Sequence, residues 1–183
     1  MSRLPVIPLE QMTPEQRKLH DRIASGPRGA FRGPFTVWIR SPEYLDRLDP
    51  VGEYLRFKTV LPPRLSEFAI LIAARLMKAR YPFQAHEPLA LKGGLAPAVI
   101  GALREGKRPP DMKADEAAVY GFATELLETK FVSDAAFKAV MDLFGERGAL
   151  DLTVLLGHYA MVSMTVNAFE VPVPPGVEPP FPL

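Results

Sequence analysis

The sequence predicts an all-α, single-domain bundle of about eight helices, followed by an extended, proline-rich C-terminal tail. Three observations predict it. Apolar residues recur at three- and four-residue spacing through most of the chain, the period of a helix face. The 20 prolines of the 183 residues gather at the ends of those apolar segments, where a missing N–H is tolerated. No segment alternates apolar and polar residues long enough to make a strand, and short loops between helical segments favour antiparallel neighbours.

The elements follow in order. In TPEQRKLHDRIASGP, Thr13 is an N-cap and Pro14 stands at the first helical position, a strong helix start. GPRGAFRGPFTVWIRSP reads as a loop, punctuated by glycine and proline. Ser41-Pro42-Glu43 starts a second helix over about 42–59, with Leu45, Leu48, Val51 and Leu55 at helical spacing. Pro62-Pro63 stops it and starts a third, about 64–80, which Pro82 ends. A fourth runs over about 83–92 to the Gly93-Gly94 stop. APAVIGALREG is a short fifth helix. KADEAAVYGFATELLETK is a sixth, with acids early and Lys130 at its end, as the helix dipole favours. Ser133-Asp134 caps a seventh, closed by Gly145, and the last helix covers about 147–169. The tail, 172–183, is too rich in proline for helix or central strand. SEFAILIAARLMKARYPFQAHE and ALDLTVLLGHYAMVSMTVNAFE share an outline, with Glu67 laid on Asp151, which suggests a duplicated helical hairpin.

Composition narrows the function classes. A formal net charge of +1 gives no electrostatic case for nucleic acid or an acidic membrane surface. The absence of cysteine removes a disulfide framework, a thiolate nucleophile and a Cys-ligated metal. No apolar h-region stands at the N-terminus, so no secretory signal is expected. The apolar run FAILIAARLMKARY is broken by Arg75, Lys78 and Arg80, short of the ~18 residues of a membrane span. The expected location is cytoplasmic.

Three histidines, none in a His-x-x-x-His or Glu-x-x-His pattern, predict no metal site. Gly-x-Ser-x-Gly, P-loop and Gly-x-Gly-x-x-Gly motifs are all missing. Glu67 shares a helical face with Ile70, Leu71 and Ala74. On that face it is a desolvated carboxylate with a raised pKa unless a partner offsets the burial; the alternative is a first-turn acid facing water. His86 falls in the first turn of the fourth helix, where the dipole favours neutral imidazole. It reads either as an acid–base group or as a polar residue satisfied by a neighbour. His158 lies on the last helix, as a cavity-lining residue or a core one. His20, beside Arg17, Lys18 and Asp21, reads as surface. Phe35 and Trp38, flanked by Arg32 and Arg40, belong to a loop that either covers a carboxylate-binding pocket or pins its aromatics into the core.

The stretch SEFAILIAARLMKARYPFQAHEPLALKGGLAPAVIGALREGK resembles the core of the carboxymuconolactone decarboxylase and alkyl hydroperoxidase D (AhpD)-like superfamily. The flanking GPRGAFRGPFTVWIRSPEYLDRL and VSDAAFKAVMDLFGERGALDLTVLLGHYAMVSMTVNAFEVPVP fit its leading and trailing segments, so the resemblance covers about residues 5–175. The thiol-active branch carries Glu, then Cys-x-x-Cys-x-x-x-His. Here Glu67 and His86 occupy the outer positions, and Ala79 and Pro82 stand where the cysteines would be. Peroxidase and disulfide reductase chemistry therefore do not transfer, for want of a thiol. The Cys-free branch tends to Tyr-Glu-Trp-x-x-His. Tyr81, the aromatic at Phe83 and His86 agree with it, while Pro82 replaces the acid.

The resemblance implies a homo-oligomer, a trimer or hexamer, with no metal or organic cofactor. It implies a decarboxylase-like enzyme acting on a small carboxylated lactone or aromatic-degradation intermediate. His86 would move the proton and Glu67 would orient it. Arg28 or Arg32 would hold the substrate carboxylate, Tyr81 would donate to the oxyanion, and Phe83 and His158 would line the site. The alternative is a non-catalytic or ligand-binding member that has lost the thiol site. A cavity beside a contacting Glu67–His86 pair favours the enzyme; a filled core favours the alternative.

Overall fold

The structure is a computed structural model that describes residues 2–174 and 176–183. It is all helical, with no strand among the described residues. Its helices are α1 (Pro14–Ser25), α2 (Phe35–Trp38), α3 (Pro42–Phe57), α4 (Pro63–Leu76), α5 (Arg80–Lys92), α6 (Pro97–Glu105), α7 (Ala114–Thr129) and α8 (Asp134–Ala168). The Thr13 hydroxyl accepts from Gln16 N while the Gln16 side chain accepts from Thr13 N, the expected reciprocal cap.

α4 is the axis of the bundle. Leu65 through Ala74 are all buried, and α5, α7 and α8 pack around them. A helix apolar on every side belongs in a core, and Ala69, Ala73 and Ala74 let neighbours approach closely. Arg64, at the start of α4, pairs with Asp115 and Glu116 at the start of α7. This ties two helix N-termini through one guanidinium, with the acids placed where the dipole favours them.

The loop read between Gly26 and Pro42 contains a helical turn, α2, which buries Val37 and Trp38. Val51 keeps its helical register in α3 but is 52% exposed. The α4–α5 boundary also differs from expectation. α4 ends at Leu76, and Lys78 takes a left-handed φ of 52°. Pro82 sits in the first turn of α5, where its missing N–H breaks no helical hydrogen bond.

The expected end of the seventh helix at Gly145 is seen: non-helical backbone there (φ 64°, ψ −173°) kinks α8 between its two helical parts. The stretch 149–168 is one continuous helix, whereas 66–87 is a helix, a turn and the start of another. The suggested duplication of a helical hairpin is therefore not seen. α8 is long and apolar enough, by length and composition, to cross a membrane; half of its most apolar window is buried in the bundle, as in a core helix.

The tail is extended, as expected, and Pro175 of it lies outside the described residues. Phe181 returns to the core, 4% exposed. Its ring meets Phe83 edge-on at 5.3 Å, and its carbonyl accepts from Arg80 Nε at 2.8 Å.

Candidate functional site

Glu67 lies in the second turn of α4 and His86 in the second turn of α5. The tight turn over 77–79 folds α5 back on α4, so both side chains point into one interface. His86 Nδ1 is 2.5 Å from Glu67 Oε2, and both residues are buried. The first-turn, water-facing reading of Glu67 does not hold.

The opposite ring nitrogen, Nε2, is 3.1 Å from the Tyr159 hydroxyl of α8, and the two rings meet edge-on at 5.0 Å. The consistent assignment is Nδ1–H donating to Glu67 and Nε2 accepting from Tyr159. Burial pushes the His86 pKa below its ordinary value, the hydrogen bond to Glu67 pulls it back, and the charges of Arg56 and Arg28 lower it further. Desolvation, not the helix N-terminus, is the main cause of its neutrality, because His86 stands beyond the first turn of α5.

A cavity of about 390 Å³ opens beside this pair. Its wall includes His86 and Tyr159, with Arg28, Arg32 and Arg56 as cations and Trp38, Leu48 and Val162 as apolar surface. Tyr81 and His158 also line it. Burial raises the pKa of both tyrosines. It lowers that of His158 to about 4, with Arg28 adding to the effect.

Arg28 Nε donates to Asp49 at 3.3 Å, and its guanidinium lies over the Phe35 ring at 5.1 Å. Arg32 is exposed. Phe83 is fully buried against Phe181 and is not part of the cavity wall. Its packing is that of a core residue. His20 is only partly surface: its ring sits 4.7 Å from Phe31, and its Nδ1 is 2.8 Å from Asp21.

Sequence reasoning missed Tyr159, Arg56 and Asp49. Tyr159 carried a usable signal, since it follows His158 and falls seven residues after Leu152 on a core face. Arg56 carried none, being one cation at the end of an amphipathic helix.

Two solved structures share this arrangement of helices. One is the AhpD core of an uncharacterised peroxidase-related protein from Ralstonia eutropha JMP134, with a TM-score of 0.79 and 16% identity over 95% of this chain and 93% of that one. The other is a protein of unknown function from Agrobacterium tumefaciens, described as a candidate AhpD antioxidant-defence protein. It has a TM-score of 0.69 and 17% identity over 80% of this chain and 100% of that one. This chain has the AhpD-like fold. No family model and no curated protein sequence matches it, so the likeness extends to the architecture. On that AhpD-like frame the chain has no cysteine; Ala79, at the N-cap of α5, and Pro82, in its first turn, are both buried. No group of three or more His, Cys, Asp or Glu side chains suited to a metal ion occurs among the described residues.

Proposed function

We propose that this protein is a cofactor-free acid–base enzyme, decarboxylase-like, acting on a small carboxylated lactone or related aromatic-degradation intermediate. One observation carries the reading: Glu67 and His86 are in hydrogen-bond contact at 2.5 Å, and the same imidazole borders a cavity of about 390 Å³. In the proposed reaction the substrate carboxylate leaves as CO2. Its bonding pair passes to carbon and spreads into the lactone carbonyl, and a proton is then delivered to carbon. His86 takes up that proton at Nε2 and hands it on, while Glu67 fixes the tautomer and stabilises the imidazolium. Arg28 or Arg32 holds the carboxylate, and Tyr81 donates to the developing oxyanion. A cytoplasmic trimer or hexamer is part of the same proposal; Leu150 and Met164, exposed on α8, are then covered by a second copy.

The test is a panel of carboxylated γ-lactones followed by carbon NMR for release of CO2. We expect turnover by the wild type and a loss of at least ~100-fold in His86→Ala, with the helical circular dichroism signal unchanged. Undiminished turnover in that variant sinks the assignment. A second reading, a ligand-binding protein without turnover, is favoured by the Tyr159 hydroxyl, which already occupies His86 Nε2 at 3.1 Å. It predicts ligands that bind and are recovered unchanged.

A further inference from the structure

Of the two desolvated guanidiniums of the cavity, Arg28 and Arg56, Arg56 is the one whose donors are left unused. It lies in the last turn of α3, and its side chain is 15% exposed. Glu67 Oε1 is 3.7 Å from its Nη2, beyond hydrogen-bond range. Its Nε is buried with no partner, and no side-chain hydrogen bond of Arg56 occurs among the described residues. A guanidinium carries five donors, and burying such donors unpaired is costly.

Arg28 is brought to the same face of α3 by a glycine. A Cβ at Gly52, one turn before Arg56, would fall 2.6 Å from Arg28 Nη2 and 3.2 Å from the His158 ring. The missing side chain is what admits the second guanidinium. Two like charges thus share one desolvated wall; burial first, and the Arg56 charge after it, disfavour the protonated form of Arg28. Asp49 satisfies Arg28 through its Nε; Arg56 has no equivalent. Trp38, Leu48 and Val162 supply apolar surface in the same cavity.

We infer that Arg56, with Arg28 beside it, is the anchor for a ring-bearing monocarboxylate, whose carboxylate takes the unused guanidinium donors and whose ring lies on the Trp38–Val162 wall. The inference rests on the acid–base reading only for its choice of a carboxylate. It also gives the site a sequence of events. A bound anion offsets the two cations that face His86, from α3 and from the α1–α2 loop. Glu67 of α4 and Tyr159 of α8 stay in place, with His158 beside Tyr159. The imidazole then takes up its proton more readily once ligand is bound.

Trp38 is the one tryptophan of the chain and lines the cavity, so its fluorescence reports binding directly. The probes are tetrahydrofuran-2-carboxylate, the corresponding neutral amide, and inorganic phosphate. We expect the carboxylate to bind at least ~10-fold more tightly than the amide, and Arg56→Met to remove that preference, as loss of charge-assisted hydrogen bonds requires. Arg56→Lys, which keeps the charge without the fork, should fall between the two. Arg47→Met, a surface ion pair with Glu43, should bind as wild type does.

Equal binding of carboxylate and amide to the wild type overturns the inference even if Arg56→Met does not fold. So does an unchanged preference in a folded Arg56→Met or Arg56→Lys protein. Phosphate binding as tightly as the carboxylate overturns the choice of ligand. His86→Ala, which ends the proposed turnover, should keep the carboxylate preference, so a failure of catalysis and a failure of this site are told apart.

Discussion

Two carboxylates are buried in adjoining helices, and they have opposite surroundings. Asp151 on α8 is 2% exposed and Glu67 on α4 is 6% exposed, and α4 packs against α8. Asp151 accepts from the Tyr54 hydroxyl at 2.9 Å and from Val60 N at 3.0 Å, which fastens the α3–α4 connection to α8. Those donors are a phenol and an amide, and Asp151 is not part of the cavity wall. Glu67 meets an imidazole that borders the cavity. Equivalent burial on equivalent helices therefore yields a fastener in one place and, in the other, the contact proposed above as an acid–base pair. The partner and its access to open space make the difference.

The largest effect expected from breaking this contrast is at the fastener. Asp151→Ala leaves the Tyr54 hydroxyl and Val60 N–H unpaired and should cost about 3 kcal/mol in urea unfolding, while the carboxylate preference of the folded fraction is unchanged. Glu67→Gln keeps the shape of its side chain but offers His86 a neutral partner. Turnover should fall by at least ~10-fold while the melting temperature moves little. A Glu67→Gln protein that unfolds like Asp151→Ala would show that Glu67 is a fastener too.

A smaller effect should appear in acid. His158 is held neutral, with its pKa lowered from 6.5 to about 4, so the unfolded chain binds its proton first. The stability it contributes is complete above pH 6.5 and is lost as pH falls toward 4. By about pH 5.5 this amounts to about 1.4 kcal/mol, which His158→Gln should remove from the pH profile of unfolding. His86, shifted in the same direction, adds to the slope that remains. The smallest effect is at Arg147, 64% exposed and 4.0 Å from Asp151. Arg147→Ala should leave the unfolding curve unchanged, as for most exposed pairs.

The helices were legible because apolar period and proline placement are local signals, and the Glu67–His86 pairing came through the family resemblance. The boundary near Pro82 was not legible, because the turn is made by Lys78 in a left-handed conformation. Lysine gives no sign of adopting one, while proline gives a false sign of a helix end. α2 was hidden because FTVW is too short to show a period. Arg56 and Tyr159 were hidden for another reason. Their roles depend on which side chains face them across helices, and residue spacing within one helix does not contain that.

Gly33 has a positive φ of 63°, and a Cβ placed there would fall 2.3 Å from Cε1 and 2.7 Å from the hydroxyl oxygen of Tyr81. Tyr81 therefore rests directly on the backbone of the segment that carries Arg28 and Arg32. For anyone who wishes to retune what the chamber admits, positions 33 and 81 form a single coupled dial. Any side chain added at 33 displaces the aromatic at 81, so useful substitutions should emerge from libraries that vary both together and be missed by scans that change one at a time.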